Sequence, residues 1–71
     1  MVEFKIKVNP KQQSAYIPKE ICEALGFAWK AIPNNKALVA FPADADLKLV
    51  KKSVELILED LKLRIETMKE S

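Results

Sequence analysis

Histidine is absent from this 71-residue chain, cysteine and glycine each occur once, at Cys22 and Gly26, and Arg64 is the single arginine. Each scarcity removes a class of chemistry. Without histidine the commonest zinc ligand is missing, and one cysteine cannot form an intrachain disulfide. A lone glycine cannot build the glycine-rich loop that cradles phosphates. Long apolar runs are also lacking, because Lys or Glu interrupts each one within a few residues, so no bilayer-spanning segment is expected. The opening Met1-Val2-Glu3-Phe4-Lys5 has no basic region leading into an apolar stretch, which predicts no secretory signal. Carboxylates are spread along solvent-facing positions with no pocket-forming segment to shift their pKa. The reading is a soluble, cytoplasmic, non-enzymatic protein without metal or cofactor, its free thiol compatible with a reducing compartment.

What is present is apolar: 49% of the residues are hydrophobic. A chain this short buries little of its apolar surface on its own and gains stability from disulfides, a metal or a partner subunit. The first two aids are excluded above. Oligomerisation remains.

Val2, Phe4, Ile6 and Val8 alternate with Glu3, Lys5, Lys7 and Asn9, the two-residue period of a strand with one apolar face. The polar run Asn9-Pro10-Lys11-Gln12-Gln13-Ser14 predicts a turn, and Ala15-Tyr16-Ile17 a short returning strand. Pro18 suits the first position of a helix and Gly26 the residue past its end, with Ile21, Ala24 and Leu25 on one face between them. Phe27 to Ile32 and Ala37 to Phe41 read as a β-hairpin around Pro33-Asn34-Asn35-Lys36, since Asn tolerates the positive φ that tight turns require. Asp46 is placed to cap a long helix. Along that helix Leu47, Val50, Val54, Ile57, Leu61, Ile65 and Met68 step by three or four residues, while Leu49, Leu56 and Leu63 form a second stripe on nearly the opposite side. One stripe is expected to join a dimer partner and the other the body of the domain or further subunits. The fold class is therefore α+β, with a segment at 1–43 followed by an amphipathic oligomerisation helix at 44–71.

The order strand, polar turn, short strand, then Ile17-Pro18-Lys19-Glu20-Ile21-Cys22-Glu23-Ala24-Leu25-Gly26-Phe27 resembles the AbrB/MazE/SpoVT family of swapped-hairpin DNA-binding proteins. The resemblance covers residues 4–42 and includes Lys36-Ala37-Leu38-Val39-Ala40-Phe41-Pro42 as the family's last strand. Gln13 and Ser14 stand where the family usually has Gly before its second strand, and the Pro-Gly-Asp common before the third strand is missing. The resemblance implies a swapped-hairpin β-barrel formed by a dimer, with the first strand and following loop of both chains meeting DNA.

Charge distribution points the same way. Residues 1–43 carry six lysines against three glutamates, whereas residues 44–71 carry six basic and seven acidic groups, so the basic surplus lies in the first half. Lys5 and Lys7 on the polar strand face and Lys11 in the loop are candidates for phosphate contact, and Gln12, Gln13 and Ser14 for phosphates or base edges. The alternative for these residues is a solvated face that protects a strand edge. Lys19, at a helix start, is a further phosphate candidate or a plain surface residue. Arginine is the usual bidentate reader of guanine, and Arg64 lies far along the last helix, spaced to pair with Asp60, so base reading is expected to be weak. Tyr16, Trp29, Phe4, Phe27 and Phe41 read as packing residues rather than base-stacking ones.

Two functions emerge. One is a sequence-tolerant, double-stranded DNA-binding transcription regulator acting as a homodimer, or as a tetramer built through residues 47–69. The other is an antitoxin-like or oligomerising module that binds a partner protein through its C-terminal helix, although the leucine-rich, pre-formed character of that helix favours self-association.

Overall fold

The computed structural model describes residues 2–70, and the side chains of residues 2–68. Met1 and Ser71, the outer bounds of the two expected segments, lie outside the described residues. The architecture is α+β: two small antiparallel hairpins, a short helix between them and a long C-terminal helix.

Strand β1 spans Lys7–Asn9 and pairs with β2, Ser14–Tyr16, in the register Lys7 to Tyr16, Val8 to Ala15 and Asn9 to Ser14. The strand expected from residue 2 is thus shorter. Residues 2–6 have no strand opposite them in the chain, because β2 ends just before Ile17-Pro18 and Pro18 has no N–H to offer a ladder. Val2, Phe4, Ile6 and Val8 are left exposed.

Helix α1, Lys19–Leu25, begins one residue later than expected, with Pro18 as the N-cap at φ −54° and ψ 143°. The Pro18 carbonyl accepts from the N–H groups of Ile21 (3.0 Å) and Cys22 (3.3 Å). Gly26 ends the helix by donating its N–H to the Cys22 carbonyl at 2.7 Å. Its φ of 85° and ψ of −160° lie in a region essentially restricted to glycine. A Cβ added there would meet nothing within 4 Å, so the cost of a side chain is a backbone cost alone. Gly26→Ala is expected to lower stability by about 1–3 kcal/mol, measured as an earlier midpoint in denaturant; an unchanged midpoint would show that the assembled fold does not hold this conformation.

Strands β3, Trp29–Asn34, and β4, Ala37–Pro42, form the second hairpin. β3 starts two residues later than expected, because residues 26–28 are used to leave α1, and the Trp29 indole N–H closes that loop onto the Gly26 carbonyl at 3.0 Å. The turn at Asn35 and Lys36 does not use the positive φ that its asparagines suggested. Among the described residues Gln13, at 53°, is the only non-glycine with positive φ. The Asn34 Oδ1 instead accepts the Asn35 N–H at 2.6 Å.

Helix α2, Leu47–Glu70, has 24 residues and is about 36 Å long at roughly 1.5 Å per residue. Asp46 caps it as its position suggested: Oδ1 accepts the Lys48 N–H at 2.9 Å, and the carbonyl accepts those of Leu49 and Val50. Half-buried Val50 and Val54 line an apolar cleft of about 300 Å³ with Leu25, Val39, Phe41 and Ile57. Farther along, the expected Arg64 to Asp60 pair forms at 2.6 Å, and Arg64 also donates to Glu3 of the N-terminal segment. The hydrogen bond from Arg64 holds the Asp60 carboxyl below the ordinary aspartate range, outweighing partial desolvation.

The core is very small. Phe41, 7% exposed, is the only buried residue among those described. A folded monomer of 8.0 kDa exposes about 4,450 Å² by the usual size scaling, yet this chain exposes 6820 Å². The excess is roughly 2,400 Å². Its radius of gyration, 14.1 Å, likewise exceeds the roughly 11 Å of a compact chain of this length.

Candidate nucleic-acid interface

The β1 to β2 hairpin gathers most of the candidate residues. In an antiparallel pair, residues directly opposite share a face and successive residues alternate. Lys7 and Tyr16 therefore lie on one face with Asn9 and Ser14, while Val8 and Ala15 occupy the other. Pro10, Lys11, Gln12 and Gln13 form the tip, and all of these residues are exposed.

Asn9 sets the tip. Its Oδ1 accepts the backbone N–H of Lys11 at 3.0 Å and of Gln12 at 3.3 Å, an Asx-type turn that fixes the direction in which both side chains leave the backbone. Gln13 then takes the positive φ needed to enter β2. Lys7, Lys11, Gln12, Gln13 and Ser14 thus share one small hairpin. Lys5 stands two residues before β1 in the N-terminal segment, on the parity of Lys7. Lys19 is separate: it opens α1, is highly exposed and faces Glu23 one turn along at 3.6 Å, so part of its charge is already answered.

No acidic residue occurs from Phe4 to Lys19, a stretch with four lysines. The nearest acid upstream, Glu3, is engaged by Arg64 at the far end of α2. The hairpin therefore carries a field of one sign with little internal compensation, the arrangement that attracts a polyanion.

Two residues of this surface were missed by sequence reasoning. Tyr16, expected to pack in a core or an interface, pairs with Lys7 and is exposed on the same face in the single chain. Asn9 was read only as part of a polar turn; the Asn-Pro dipeptide was the available sign that it organises one. Among the described residues no cluster of potential metal ligands occurs, and no helix is long and apolar enough to cross a membrane. No family model matches the chain, and it has no match among the curated proteins or the solved structures.

Proposed function

We propose that this protein is a sequence-tolerant double-stranded DNA-binding transcription regulator that works as a homodimer. The observation that carries the reading is the acid-free hairpin presenting Lys7, Lys11, Gln12, Gln13 and Ser14 together, with Lys5 leading into it. Lysines and amides of this kind bind phosphate oxygens regardless of sequence. Two copies related by a two-fold axis place two such hairpins side by side, matching the repeating phosphate array of a duplex.

Pairing is supported by the exposed area. An excess of roughly 2,400 Å² per chain exceeds the ~800 Å² per partner of an ordinary interface and falls in the range of obligate dimers. The exposed apolar faces of the N-terminal segment and of the second hairpin are the surfaces that a swapped-hairpin barrel of the AbrB/MazE/SpoVT type would bring together. Lys19 is a secondary contact in this reading, since Glu23 competes for it.

The test is duplex binding by mobility shift at low salt, with the assembly mass measured on the same sample. A retarded band on unrelated duplexes from a protein of two or more chains is expected; absence of binding to any duplex at low salt would overturn the proposal. The exposed leucines of α2 support a second reading, in which the helix binds a partner protein. Ending the chain after Ile57, which keeps the α2 residues that line the cleft with Phe41, separates the two: duplex binding retained by a smaller assembly supports regulation, whereas an intact dimer that loses a co-purifying protein supports the second.

A further inference from the structure

Leu49, Leu56 and Leu63 repeat every seven residues along α2 and remain 64%, 63% and 62% exposed. Leu56 and Leu63 lie away from the broad apolar arc that includes Val54, Leu61 and Ile65, Leu49 also edges the cleft between β4 and α2, and the stripe runs about 21 Å at roughly 1.5 Å per residue. We propose that this stripe is a helix-to-helix seam with a second copy of the chain, antiparallel and two-fold symmetric about Leu56, and that it joins two dimers into a tetramer.

Charge decides the direction. Lys52 flanks the stripe in its first half and Glu59 flanks the same side one heptad later. In an antiparallel pair centred on Leu56, Leu49 of one copy lies beside Leu63 of the other, and Lys52 of each copy meets Glu59 of the other. Two symmetry-related ion pairs result. Lys52 has no ion-pair partner in its own chain among the described residues, while Glu59 meets only an exposed Lys62 at 3.2 Å. A parallel, in-register pair would instead set Asp60 of each copy beside Glu59 of the other at the edge of the seam, like charges in a drying interface, and would leave Lys52 without an acidic neighbour.

The helix dipole favours the same direction. The first turn of α2 holds no acidic residue, and Lys48, Lys51 and Lys52 crowd its positive end. An antiparallel neighbour opposes the two dipoles.

Area limits what the seam does alone. Six leucines, at about 60–120 Å² each, remove less than the roughly 1,200 Å² of a small stable interface. The seam therefore needs chains already paired elsewhere, which makes this inference rest on the homodimer proposed above.

The experiment uses the full chain carrying Cys22→Ser, with Leu49→Cys and Leu63→Cys made as separate variants and treated with a short thiol crosslinker. Mixing the two is expected to yield the mixed crosslinked pair by mass spectrometry, while neither variant crosslinks to itself. Self-crosslinking of each variant would establish a parallel seam, and no crosslink in the mixture would remove the seam; either result overturns the proposal. Light scattering gives the second readout: the unsubstituted chain is expected at four chains and Leu56→Glu at two, with unchanged helix content. An unsubstituted mass of two chains overturns the seam and leaves the dimer standing, whereas a mass of one chain overturns both.

Discussion

Replacing Lys5, Lys7 and Lys11 together with alanine is expected to lower affinity for a random duplex at least about a thousandfold near 0.1 M salt. Each dimer carries two copies of these lysines, so about six phosphates are engaged. For B-DNA the log of affinity falls against log salt with a slope of about −0.9 per phosphate, which gives a value near −5 for the unsubstituted protein. Between 50 and 200 mM salt that slope alone costs about a thousandfold. Removing the six lysines should flatten it toward zero. The side chains are exposed and make no ion pair among the described residues, so the fold has no reason to change and the helical signal should persist. If the triple variant binds duplex as tightly as its parent, with the same slope, the interface lies elsewhere. A parallel loss of assembly mass would instead trace the effect to pairing.

The parts of this fold legible in the sequence were those decided by neighbours in the chain. Asp46 before an apolar period announced the start of α2, and the Pro18 to Gly26 interval announced α1 to within a residue, because caps are local hydrogen-bonding problems. The alternation from Val2 to Val8 was also real, but it states only that one face wants burial. It cannot say which strand supplies the pairing, and within the chain only Lys7–Asn9 finds one. Positive φ was assigned to asparagine by propensity, yet Gln13 holds it, since the Asx turn of Asn9 leaves Gln13 to reverse the chain. The candidate site was visible as a run of lysine and amide residues without acid. That Tyr16 shares the face of Lys7 was not, because the register that sets the two opposite each other depends on how the intervening turn closes.

Thermal unfolding of the unsubstituted chain is expected to shift to higher temperature as protein concentration rises, and Phe41→Ala to abolish a cooperative transition at micromolar concentration. Both follow from a core in which Phe41 is the one buried residue among those described. Truncating a well-packed phenylalanine costs about 3–5 kcal/mol, a large share of the stability that any small domain possesses. Phe41 lies on β4 and lines the cleft between that strand and the first turns of α2, with Leu25 of α1 at its edge, so its loss loosens three elements together. Most of the remaining large apolar side chains are exposed in the single chain, and their contribution arrives only when another copy covers them. Folding coupled to association obeys mass action, and the midpoint must then depend on concentration. A concentration-independent midpoint with a cooperative transition from a single-chain species would show that roughly 2,400 Å² of excess surface is tolerated in water. The lysine hairpins would then have no two-fold partner to stand beside.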